Sequence, residues 1–245
     1  MTPSWARYPR PLTRVLLLLC VPTTVGACDA AFGITAANSE TIRFVQHANS
    51  SEMSLSTPQC SVALPAPSEP DALIVLTITH DVTRPVVSIS DNLANTYDVA
   101  IPSTPWAKTA FATELYYAKG VNGAAPIVAT ITLARDGASL CDLYLDEYAN
   151  ASPTDPLDQT AANTGDGTGT KVSSGFKTTT HASELLFGHG EASGPTVTIG
   201  AGFFERSNAY ANIEEDRNVT TVGSYDAQFS LTGAGEWIAL MATFR

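Results

Sequence analysis

From residue 41 to the C-terminus, apolar residues recur at every second position in short runs, and turn-forming clusters separate the runs. Period two is the spacing of side chains along one face of a β-strand, so the pattern restricts this chain to sheets. In residues 127–133, Ile127, Ala129, Ile131 and Leu133 share one face, and Val128, Thr130 and Thr132 share the other. Residues 72–80 are apolar almost throughout, which predicts a central strand covered on both sides. Tyr225, Ala227, Phe229 and Leu231 alternate next, then Ile238, Leu240, Ala242 and Phe244. Clusters at residues 91–92, 120–123, 136–137, 188–190 and 233–235 read as chain reversals, the Gly188-His-Gly190 triplet among them. No stretch has a convincing helical period. The predicted fold class is therefore all-β: a two-sheet antiparallel sandwich, jelly-roll-like, with about 12–16 strands. Residues 41–245 read as a single β-sandwich domain. Residues 149–174 are the one candidate seam, and no repeat of fixed period is visible.

The first forty residues follow different rules. Arg7, Arg10 and Arg14 precede an apolar stretch at residues 15–21, and small residues follow up to Cys28. A basic start, a short apolar core and small residues predict a secretory signal peptide over residues 1–27. The apolar core falls well short of the roughly 20 residues that span a bilayer. Residues 25–28, Val-Gly-Ala-Cys, resemble a lipobox, which implies cleavage before Cys28 and lipidation of its thiol. Ordinary secretion is the alternative. Residues 28–40 then serve as a tether. The protein is expected outside the cytoplasm, secreted or held at a membrane only through a lipid anchor.

Charge narrows the partners. The chain has 245 residues with a formal net charge of −11, and losing the three leader arginines deepens it to −14. Nucleic-acid binding needs clustered Lys and Arg to meet phosphates, so that class is excluded. Of the four cysteines, Cys20 would leave with the leader and Cys28 would carry lipid. Cys60 and Cys141 remain as an even pair, able to form a disulfide in an oxidising compartment or to persist as two buried thiols.

Several short motifs occur in a characteristic order. Residues 88–97 (SISDNLANTY) give a D-x-x-x-N-T-Y hairpin, followed by residues 116–119 (YYAK), 147–150 (EYAN), 156–158 (PLD) and 183–188 (SELLFG), with the terminal residues 237–245 last. The succession covers residues 42–245 and is similar to uncharacterised β-sandwich modules of bacterial secreted and surface proteins, often set beside immunoglobulin-like repeats. The resemblance implies an extracytoplasmic jelly-roll or lectin-like sandwich. It carries over no catalytic residue.

Catalytic and metal motifs are sparse. His47, His80, His181 and His189 form no H-E-x-x-H pair, and there is no Cys-x-x-Cys, nucleophile elbow or phosphate loop. His80 and His189 read as turn residues. In residues 141–148, alternation places Asp142, Tyr144, Asp146 and Tyr148 on one face. That face reads first as solvated. It also suits passive glycan binding by Asp142, Tyr144 and Asp146, with Trp106 as the exposed aromatic, and then a polysaccharide hydrolase or lyase using Asp142, Asp146 or Glu147. Asp91, Asn92 and Asn95 are candidate ligands for a structural calcium ion, although Asp and Asn also favour turns for conformational reasons. No other cofactor is implied. Glu214-Glu215-Asp216 reads as an exposed acidic loop. Taken together, these features predict a non-enzymatic surface module that binds a glycan or another envelope component, or that mediates adhesion. The alternatives are a jelly-roll hydrolase or lyase and a structural envelope protein.

Overall fold

A computed structural model describes residues 41–53, 57–134, 140–166 and 171–245. The leader, the tether, Cys28 and the turn at residues 136–137 lie outside them. The alternating runs fold as strands. The first eight are β1 (Arg43–Glu52), β2 (Gln59–Ala63), β3 (Leu73–Asp81), β4 (Val86–Asp91), β5 (Asp98–Pro105), β6 (Phe111–Ala118), β7 (Val128–Leu133) and β8 (Cys141–Ala149). Ten more follow: β9 (Leu157–Gly165), β10 (Lys171–Ser173), β11 (Lys177–Thr178), β12 (Glu184–Ala192), β13 (Val197–Thr198), β14 (Phe204–Ser207), β15 (Ile213–Val219), β16 (Ser224–Tyr225), β17 (Gln228–Leu231) and β18 (Trp237–Phe244). Among the described residues, no helix is long and apolar enough to cross a membrane.

All strand pairs are antiparallel and they nest. β1 pairs with β8, β2 with β7 and β3 with β6. In the second half β9 pairs with β18, β10 with β17, β11 with β16 and β12 with β15. First-with-last nesting is a long hairpin rolled up on itself, the arrangement of a jelly roll. The two large sheets run β1-β8-β3-β6-β5 and β9-β18-β12-β15-β14, two small three-stranded ones run β2-β7-β4 and β10-β17-β13, and β11 and β16 form a two-stranded pair. Each strand of the first order has a counterpart at the same place in the second, so the two halves share one topology.

Burial follows the sheets. Ile74, Leu76 and Ile78 of β3 pack with Val62 of β2 and Ile131 of β7, joining the first small sheet to the first large one. Leu73 and Val75, on the opposite face of β3, pack with Phe187 of β12 and with Leu240 and Phe244 of β18. The two large sheets therefore lie face to face. Val172, Phe229 and Leu231 pack with Ala239 and Met241 beneath the second small sheet. Four layers result, with β3 covered on both sides as its apolar run requires. Cys60 of β2 and Cys141 of β8 form a disulfide across a separation of 81 residues. Loop-closure entropy at that separation corresponds to about 4–5 kcal/mol.

Two local expectations are corrected. Gly188-His-Gly190 is no turn but the middle of β12, a central strand of the second large sheet. A Cβ at Gly190 would sit 2.8 Å from the Phe229 ring, and one at Gly188 would sit 2.9 Å from the Ala227 Cβ. The glycines are there to admit the small sheet. The run at residues 225–231 is likewise interrupted, ending one pairing at β16 and starting another at β17.

Candidate functional site

The layer between the two large sheets changes character along the strands. On β3, Leu73 and Val75 give way to Thr77 and Thr79. On β12, Leu185 and Phe187 give way to His189 and Glu191, and on β8 Tyr148 gives way to Asp146, Tyr144 and Asp142. From the far side, β15 contributes Glu214. A half-apolar, half-polar interior is the direct result of these substitutions at period-two positions.

The polar half is an alternating series of acids and imidazoles. His189 Nε2 lies 3.1 Å from Glu191 Oε1, and His189 Nδ1 lies 3.4 Å from Glu214 Oε1. Glu214 Oε2 is 3.5 Å from His47 Nδ1, which is 3.0 Å from Asp146 Oδ1. Thr77 donates to Glu214 Oε1 at 3.0 Å, and Thr79 donates to Glu191 Oε2 at 2.8 Å. Asp142 accepts a hydrogen bond from Ser51. Burial pushes Asp142 up to about 6 despite that bond, with the Glu191 carboxylate adding to the effect. Burial, and then the adjacent Asp146 carboxylate, hold Glu214 well above the usual carboxylate range.

This centre is largely buried. Asp146, Glu214 and His189 are fully buried, Asp142 is 7% exposed, and the His47 side chain, 12% exposed at the edge strand β1, reaches towards solvent. Asp146 Oδ2, Glu214 Oε2, Glu191 Oε1 and both ring nitrogens of His189 have no hydrogen-bond partner. The His189 nitrogens are near enough to the carboxylates for ion pairing, but not aligned for hydrogen bonds. Buried polar atoms without partners are rare in folded proteins.

The anticipated solvent-facing surface on β8 is therefore interior. Alternation does put Asp142, Tyr144, Asp146 and Tyr148 together, but the second large sheet covers them. The Tyr144 hydroxyl accepts from Asn212 at 2.9 Å, and its ring lies 5.1 Å from that of His189. Trp106, expected to be exposed, is 7% exposed, and its indole N–H donates to Thr113. Glu147 points to the opposite face from Asp146 and accepts from Gln46 and the Glu69 amide. Asp146 and Glu147 cannot flank one glycosidic bond from opposite faces of a sheet.

The other sequence candidates sit elsewhere. Asp91 accepts from the Leu93 and Asn95 amides, the Asn95 side chain and the Tyr97 hydroxyl. Asn92 Oδ1 accepts from Val128, and Asn95 Oδ1 accepts from Asn122. The oxygens proposed for calcium thus serve to hold a turn. Glu214-Glu215-Asp216 is buried strand, not exposed loop. Glu214 and Asp216 face the first large sheet. Glu215 faces away and takes the Gly200 amide at 2.7 Å, and burial pushes it up to about 8. His80 is no surface turn residue either, for it is buried with Nε2 2.8 Å from Glu114. A second acid–imidazole group, Asp158, His181 and Glu184, takes donors from Thr180 and the His181 amide and has Arg245 beside the His181 ring, with Glu184 Oε2 left buried and unpartnered.

At the surface, an open groove of 420 Å³ runs between β5, β9 and the segment at residues 174–177. Thr104, Thr160 and Ser174 line it with Lys177, and Phe176 stands 64% exposed. Compared with known proteins, the chain matches no family model, no curated protein and no solved structure.

Proposed function

We propose that the protein is a non-enzymatic extracytoplasmic surface module that binds a neutral glycan along the groove between β5 and β9. The observation carrying this reading is Phe176, an aromatic 64% exposed at a groove lined by Thr104, Thr160 and Lys177 together with the apolar Ile101, Pro102, Ala161 and Ala162. A ring face packs against the C–H surface of a sugar, while Thr104, Thr160 and Lys177 offer hydrogen bonds to its hydroxyls. The net charge of −11 disfavours polyanionic chains. The non-enzymatic part of the reading is supported by the burial of the acids on β8: Asp146 and Glu147 are fully buried and Asp142 is 7% exposed. Secretion or lipid anchoring through Cys28 would place the groove outside the cell.

A glycan-array screen of the purified protein tests the proposal. Binding to neutral oligosaccharides is expected, with at least a tenfold loss of affinity in Phe176→Ala and an unchanged fold by circular dichroism. Absence of binding, or binding indifferent to Phe176→Ala, would overturn it.

A further inference from the structure

We propose that His47, Asp146 and Glu214 form a buried binding site for a single divalent transition-metal ion of the zinc class. This inference is independent of the groove and of glycan binding. The three side chains each present one donor atom, and these atoms lie within 4.8 Å of one another. They come from three strands, β1, β8 and β15, so the fold itself holds them in place; none is on a mobile tip.

The second observation is the set of unpartnered atoms. Asp146 Oδ2 and Glu214 Oε2 are fully buried and make no hydrogen bond. Leaving a carboxylate oxygen dry is costly in general, and two in one buried centre cost more. The ion pairs formed by the described residues give these two acids histidine partners and no Lys or Arg; Arg206, the guanidinium on neighbouring β14, is taken by Asp216. A cation between the carboxylates neutralises them and uses the idle lone pairs at the same time.

The donor set chooses among cations. Calcium takes oxygen ligands in sixes to eights, and an imidazole in the set disfavours it. One imidazole nitrogen with two carboxylate oxygens suits zinc and its first-row neighbours. Surrounding groups are arranged to orient these ligands. Thr77 holds the other oxygen of Glu214, His189 stands beyond that oxygen, and the Asn49 amide lies 3.2 Å from His47 Nε2. Turning the Asn49 amide by half a revolution presents its oxygen to an Nε2–H, leaving Nδ1 unprotonated for the metal. Access is from the β1 edge, where His47 alone of the three is partly exposed.

The test is metal content and thermal shift on the purified protein. After dialysis against zinc and then buffer, elemental analysis is expected to give one zinc per chain, removable by EDTA. Added zinc should raise Tm, and added calcium at the same concentration should not. Asp146→Asn and Glu214→Gln preserve shape while removing charge. Each is expected to weaken zinc binding at least tenfold and to abolish the zinc-dependent rise in Tm, with a metal-free Tm equal to or above that of the parent. Asp158→Asn, in the second group, where Thr180 already donates to both Asp158 oxygens and Arg245 lies on the His181 ring, should leave zinc binding unchanged. Sub-stoichiometric zinc in the parent overturns the proposal, as does full zinc binding in both charge-removing variants. If both variants fail to fold, His47→Gln, at the partly exposed ligand, carries the same comparison.

Discussion

His80 shows how a residue that reads as a turn can be a buried charge partner. It lies on the face of β3 away from the second large sheet, with Nε2 on Glu114 and Nδ1 2.8 Å from the Asp81 carbonyl. Burial pulls His80 down, but the Glu114 hydrogen bond, the Asp81 carbonyl and both acids more than reverse this, so it is raised above 6.5. Glu114 is pushed up by burial and pulled below 4.5 by hydrogen bonds from His80 and Tyr116. The two shifts act on stability in opposite pH directions. The His80 contribution is complete below 6.5 and fades as pH rises through its raised value; that of Glu114 is complete above 4.5 and fades as pH falls through its lowered value. The pair therefore stabilises most between about pH 4.5 and 6.5. Glu114→Gln should lower stability by about 1–3 kcal/mol in that window and by less at pH 9. Urea titrations of parent and variant at pH 5.5 and 9 check it, and an identical difference at both would show that the pair is not charged.

At the scale of the element, β12 is the clearest failure of sequence reading. Its neighbours in the fold were legible, β3 because its run is apolar almost throughout and β18 because its alternation is unbroken by glycine or charge. β12 was not, because Gly188 and Gly190 are turn formers in isolation and strand residues only when another sheet must come close. β15 failed for a related reason: three successive acids read as solvent-facing unless a partner sheet is already known to cover them. The same holds for Asp142, Tyr144 and Asp146. Period two shows which side chains share a face; which face is covered depends on a sheet built from residues far along the chain. His47 and Asp146 are 99 residues apart, and nothing local announces their meeting. The glycine argument is testable. Gly190→Ala places a methyl against the Phe229 ring and should cost about 1–3 kcal/mol. In a double-mutant cycle with Phe229→Leu, the pair should cost at least about 0.5 kcal/mol less than the sum of the singles. Strict additivity would mean that the ring is not what the glycine accommodates.

The whole molecule is organised around the contact between its two topologically equivalent halves. Leu73, Val75, Leu115, Tyr117 and Tyr148 of the first half meet Leu185, Phe187, Ile238, Leu240 and Phe244 of the second in one apolar cluster. Separating the halves would expose a five-stranded sheet face on each, and would leave Thr77 and Thr79 without Glu214 and Glu191. Burial of that extent couples stabilities, since neither half keeps its covered face once the other unfolds. The halves should therefore unfold together. Trp106 reports on the first half, where it is buried in the shared cluster, and Trp237 reports on the second, where it packs beneath the small sheet. In a Trp5→Phe background, Trp106→Phe and Trp237→Phe each leave a single tryptophan. In each variant the urea midpoint read from that tryptophan should coincide with the midpoint read from far-ultraviolet circular dichroism. Were the Trp237 signal to change well before the dichroism, the second half would be unfolding alone, and the face-to-face contact would be weaker than its composition requires.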